Sequence, residues 1–161
     1  MPDFESLWNA LESRREDLTR TVLSKTPEQQ QQPAVRGAFS PAETLEHMAL
    51  TEKYYLPMFD KANRSKLGTK PPRRGLFFRV AVNRMRNAGP MPTMGEMTPK
   101  GHVNVDAAAR HWEDVRGALR SRLRGLPVDQ AVFRHPFFGR LSPELIIELF
   151  DAHTEYHAKR V

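Results

Sequence analysis

Val105, Ala108, Trp112, Val115, Leu119, Leu123 and Leu126 fall at steps of three and four residues. That period is the period of one helical face, sustained over six turns and far longer than an ordinary strand. A chain with such a stripe must bury a long amphipathic helix against something of matching length. Three more segments supply candidates. Phe4, Leu7, Trp8, Leu11, Leu18 and Val22 give a first helix over 3–25, with Asp3 as its N-cap. Ser40-Pro41-Ala42-Glu43 opens a second helix: Ser40 suits the N-cap, Pro41 the first turn and Glu43 the capping box. It is expected to run to about Asn63, with Pro57 as a kink. Ser142-Pro143-Glu144-Leu145 repeats the opening, and its helix is expected to reach the end of the sequence.

The second helix is apolar on two sides. Leu45, Met48, Tyr55, Leu56 and Phe59 share one face, and His47, Leu50, Tyr54 and Met58 another. A helix apolar over most of its circumference is central. His47 is therefore expected inside the protein. The stretch Glu28 to Pro33 reads as a polar loop, and 64–104 as a long connection with a short basic amphipathic helix over Leu76–Asn87. A connection of that length often forms a wall or lid. No segment reads as a strand. The expected architecture is all-α: an up-down-up-down four-helix bundle, a single domain over 1–161, with a long connection between helices 2 and 3.

Charge is local. Of 25 Lys and Arg, ten lie in residues 61–100 beside one acid, Glu96, so that segment carries +9 within a net charge of +6. The basic character belongs to one segment and not to the whole chain. Cysteine is absent, which excludes disulfides, Cys-ligated zinc and a cysteine nucleophile. The polar start and the lack of a long apolar run predict a cytoplasmic protein with no membrane span.

Chemistry concentrates in the histidines. His153 and His157 are spaced i, i+4 and continue the inward row Leu145, Leu149. Two buried neutral imidazoles without partners cost ~1–3 kcal/mol per unsatisfied group, and coordination satisfies both. His47 supplies a third nitrogen if helices 2 and 4 face each other. Imidazole suits Zn, Ni, Fe or Cu without choosing among them. The run His153-Thr154-Glu155-Tyr156-His157 is not the metalloprotease motif, because Glu155 is one place too far along and faces away.

The other histidines have plainer readings beside functional ones. His111 is a surface residue, a fourth ligand or a pocket wall. His135 is expected to make a backbone hydrogen bond, and His102 to be exposed. Glu43 either caps the helix or orients His47, with capping preferred. Tyr54 and Tyr156 are core residues or pocket lining.

The segments Ser40-Pro41-Ala42-Glu43-Thr44-Leu45-Glu46-His47-Met48, His135-Pro136-Phe137-Phe138-Gly139-Arg140-Leu141-Ser142 and Asp151-Ala152-His153-Thr154-Glu155-Tyr156-His157 resemble the DinB-like superfamily, including its YfiT-type metal-dependent hydrolases. The resemblance covers the first two helices and the last third, and leaves 61–100 unexplained. It implies a four-helix bundle whose three histidines bind a divalent metal, zinc or nickel in most cases. It also implies relatives that use low-molecular-weight thiols in transfer and isomerisation.

Two functions follow as expectations. In the first, metal at His47, His153 and His157 activates a thiol or water for a small-molecule substrate, and Arg73, Arg74 and Arg79 hold carboxylates of the substrate or thiol. In the second, the protein is a non-catalytic bundle whose 61–100 segment binds nucleic acid or an acidic partner. The first is favoured, because the segment carries no recognised nucleic-acid motif. A family member that has lost catalysis would look the same in sequence. Exposed Met and Phe in the connection are compatible with a homodimer.

Overall fold

A computed structural model describes residues 3–60, 75–89 and 91–161. Helix α1 (Phe4–Leu23) starts where Asp3 accepts a 2.8 Å hydrogen bond from the Ser6 amide. Helix α2 (Pro27–Gln31) corrects the expected polar loop. Thr26 and Gln29 form a capping box, with Gln29 N on Thr26 Oγ1 at 3.3 Å and Thr26 N on Gln29 Oε1 at 3.0 Å. It is the Ser40-Pro41-x-Glu43 arrangement with Thr and Gln in the end positions.

Helix α3 (Pro41–Tyr55) has the expected cap, with Ser40 N on Glu43 Oε2 at 2.8 Å. It stops short of the expected end and passes into a 3₁₀ turn over Leu56–Phe59. The reason is Pro57: it lacks an N–H and its ring clashes with the carbonyl four residues back. Asn63 lies outside the described residues. Helix α4 (Leu76–Asn87) has the bounds read from the sequence, and a second 3₁₀ turn covers Gly95–Met97.

Helix α5 (Val105–Leu123) begins at the Asn104 cap and ends before Gly125, whose φ of +80 is left-handed. Its stripe is buried from Val105 to Leu123, and Leu126 lies past the helix end. A two-stranded antiparallel hairpin follows, β1 (Phe133–His135) with β2 (Gly139–Leu141), pairing Phe133 with Leu141 and His135 with Gly139. This corrects the strand-free reading. Strands of three residues are too short to show a period of two. Helix α6 (Pro143–Ala158) starts at the Ser142 cap and ends just before the sequence does.

The chain is thus mostly helical with one small hairpin among the described residues. Helix α3 packs along α5, α1 along α6, and α4 lies across α6. Two apolar clusters form the core. One joins Trp8, Leu119, Leu145 and Phe150, and the other Leu18, Leu45, Met48 and Trp112. Among the described residues no helix is long and apolar enough to cross a membrane.

A buried polar group ties these helices together. Glu52 and Arg116 are 0% and 1% exposed. Arg116 Nε donates to Glu52 Oε2 at 2.7 Å, Trp112 Nε1 donates to Glu52 Oε1 at 2.9 Å, and Arg116 also reaches the Leu11 carbonyl at 3.2 Å. Three helices (α1, α3 and α5) are fixed at this point.

Candidate metal centre

The expectation that α3 and α6 face each other holds at the histidines. His47 comes from the second turn of α3, and His153 and His157 from the last turns of α6. His47 Nε2 lies 3.3 Å from His153 Nε2, and His157 Nε2 lies 3.1 Å from it. One coordinating nitrogen from each of the three falls within 4.8 Å of the others. His47 and His157 are buried and His153 half-buried.

One contact fixes the orientation of the cluster. His47 Nδ1 lies 2.7 Å from the Met97 carbonyl. A carbonyl only accepts, so Nδ1 carries the proton and Nε2 presents a lone pair to the other two rings. Burial keeps all three rings neutral. It lowers the pKa of His47, partly offset by the Met97 bond. It lowers His153 to about 3, with help from the neighbouring His47. It holds His157 well below the ordinary range, helped by His153, His47 and Arg160. Neutral imidazole is the form that coordinates metal.

These residues fit a divalent metal. A tetrahedral zinc with bonds of ~2.0–2.1 Å has ligand–ligand edges of roughly 3.3–3.4 Å. The separations of His153 from His47 and from His157, 3.3 and 3.1 Å, lie close to that edge, and all three nitrogens fall within 4.8 Å of one another. Three converging nitrogens also cannot satisfy one another by hydrogen bonds alone, because His153 Nε2 faces both of its neighbours and carries at most one proton. A cation resolves the conflict, and three ligands leave positions open.

The cluster borders a cavity of about 630 Å³. Its walls are apolar and sulfur-rich: Phe39, Met85, Met91, Met94, Phe137 and Phe150 contribute. Tyr156 also lines it and closes one side. Its hydroxyl donates to the Gly89 carbonyl at 3.1 Å and accepts from the Met91 amide at 2.9 Å. Tyr54 is half-buried against Tyr55 and does not line the cavity.

His135 reaches the cavity wall, but its nitrogens are engaged. Nδ1 accepts from the Phe137 and Phe138 amides at 3.1 and 3.3 Å, so Nε2 carries the proton and donates to the Tyr55 hydroxyl at 3.1 Å. Burial lowers its pKa to about 4. His111 pairs with Glu46 at 3.3 Å beside a second cavity, apart from the three-histidine cluster. His102 is exposed. Glu43 caps α3, and Glu155 pairs with Arg86 and Lys159 outside the cavity lining.

Of the expected carboxylate-binding arginines, Arg73 and Arg74 lie outside the described residues, and Arg79 is exposed on α4 and does not line the cavity. Sequence reasoning missed two participants. The Met97 carbonyl had no signal to give, because a main-chain oxygen is the same in every residue. Arg160 had one: it stands only three positions after His157, in the turn that follows α6.

The fold and the cluster define a helical protein with a candidate three-histidine metal centre. The profile of the DinB superfamily matches residues 4–160, nearly the whole chain, and the chain belongs to that superfamily. Comparison with curated proteins and with solved structures gave no match.

Proposed function

We propose that the protein is a metal-dependent enzyme acting on a small molecule, with a divalent metal at His47, His153 and His157 and either a thiol (S-transfer) or water (hydrolysis) as the activated nucleophile. The observation that carries this reading is the convergence of three imidazole nitrogens, from two buried histidines and one half-buried one, at the edge of a large cavity. A metal held there supplies Lewis acidity, which lowers the pKa of a thiol or water brought to it. Zinc or nickel suits the all-nitrogen set.

The chain's own residues do the rest. Met97 holds the His47 ring in the coordinating tautomer. Phe39 packs on that ring at 4.8 Å and shields it from solvent. The Met and Phe walls hold an apolar ligand and exclude water, which strengthens every polar interaction inside. In this reading the four long helices α1, α3, α5 and α6 form the up-down-up-down bundle, and Arg79, exposed on α4, holds only those parts of a ligand that extend beyond the cavity.

The deciding experiment is elemental analysis of protein purified without a His tag, beside His153→Ala. We expect near one equivalent of zinc or nickel in the wild type and less than a tenth in the variant. Metal-stripped protein should lose thiol-transfer or hydrolytic turnover and regain it on reloading. No metal uptake on titration would end this reading.

One observation favours a second reading. Arg79 and Arg84 are exposed on α4 beside Leu76, Phe77 and Val80, which are 77%, 67% and 56% exposed. A basic surface of this kind contacts nucleic acid or an acidic protein. Such binding should weaken steeply between about 50 and 200 mM salt, and its absence at low salt removes the reading.

A further inference from the structure

Arg160 is the cation that lines the histidine cavity, and no Asp or Glu lines it among the described residues. Its guanidinium carbon lies 3.8 Å from the centre of the Tyr156 ring. It donates to the Ala88 and Tyr156 carbonyls, which fix its plane. Guanidinium has five N–H donors. Two serve these carbonyls, leaving three.

The nearby acids are already engaged. Asp151 pairs with Arg14 and Arg86, and Glu155 with Arg86 and Lys159. Among the described residues no carboxylate pairs with Arg160. A pre-positioned, half-buried guanidinium with spare donors and no counter-ion is built to receive an anion. It stands three positions after His157, in the turn just past the end of α6, and both side chains line the cavity. Phe39, Met91, Met94 and Phe137 line the same cavity.

We propose that Arg160 is the anion anchor of this cavity, and that the ligand class is an apolar organic acid whose carboxylate sits on the guanidinium while its hydrocarbon body lies on the Met and Phe walls. The proposal rests on the cavity being the functional site, and it names the substrate class of that site. Metal at the histidines adds to the same positive field and is not needed for the anchor to work.

The test is calorimetric titration of metal-stripped and metal-loaded protein with hexanoate and with hexanamide, its neutral isostere. In stripped wild type, hexanoate should bind at least tenfold tighter than hexanamide. Arg160→Gln and Arg160→Met should both bring the ratio near one while metal content is unchanged. His153→Ala should lose metal and keep the ratio. A ratio near one in stripped wild type, or a ratio unchanged in either variant, overturns the proposal. If both variants fail to fold, the wild-type ratio and its decline with salt decide alone. A protein that takes up no metal but keeps the acid preference refutes the metal-enzyme reading and leaves the anchor standing. A protein that takes up metal but shows no preference does the reverse.

Discussion

At the scale of single residues, the tightest constraint outside the histidines is the Glu52–Arg116 pair. Both charges are out of water, and every Glu52 oxygen contact is to Arg116 or Trp112. Removing one partner leaves the other charge buried and alone, which typically costs 3–5 kcal/mol. We expect Glu52→Ala to lower the unfolding free energy by about that amount in urea titration, and a Glu52→Leu, Arg116→Met double variant to recover much of it. Equal losses in the single and double variants would show that the pair contributes nothing beyond side-chain volume. Neither residue is visible as a pair in the sequence, because 64 positions separate them. His153 is the opposite case. Its spacing from His157 marks it at once, and the fold adds only the meeting with His47 and the direction in which the three nitrogens point.

At the scale of elements, caps decide where helices start, and one cap decides where a ligand sits. Ser40 is 1% exposed and holds the first turn of α3 through the Glu43 amide at 3.2 Å, two turns before His47. Ser40→Ala should cost about 1 kcal/mol of stability. It should also weaken metal binding several-fold by loosening the turn that aims His47, read by competition with a chelator. A stability loss with unchanged metal affinity would show that His47 is held by Met97 and Phe39 alone. Most helix starts were legible, since Asp3, Ser40 and Ser142 accept from the first turn, whereas α4 begins at Gly75 with no side-chain cap. The start of α2 at Thr26 was not legible, because the glutamine run after it reads as loop. Helix ends and short strands were less legible. Pro57 ends α3 rather than kinking it, and the β1–β2 hairpin is held by tertiary burial of Phe133 and Leu141.

At the scale of the whole molecule, four neutral histidines, three buried and one half-buried, couple stability to pH. The folded-state pKa is about 4 for His135 and about 3 for His153, against 6.5 when free, and His47 and His157 shift the same way. Between pH 6.5 and 4 the unfolded chain takes up protons that the folded metal-free protein refuses. Stability is therefore present above pH 6.5 and is lost as pH falls, by up to about 1.4 kcal/mol per pH unit for each such proton. In metal-free protein, His135→Gln should make the urea midpoint fall less steeply across that window. A slope parallel to the wild type would mean that His135 titrates normally. Loaded metal should raise stability near neutrality and make the acid loss steeper once it is released.

The sequence by itself determined the long helices, most of their starts, the amphipathic segment at Leu76–Asn87 and the paired histidines of α6. These follow from interactions within about four residues, where period, capping and imidazole spacing act directly. Only the tertiary structure decided which histidines meet, which tautomer His47 adopts, and which arginine faces the cavity. Those outcomes depend on contacts such as His47 to Met97 and His153, 50 and 106 positions apart. They are set by how whole helices pack, and no local rule encodes them. Arg160 shows the boundary between the two. Its place three positions after His157 is local, but the acids near it, Asp151 and Glu155, are engaged by Arg86 from across the fold.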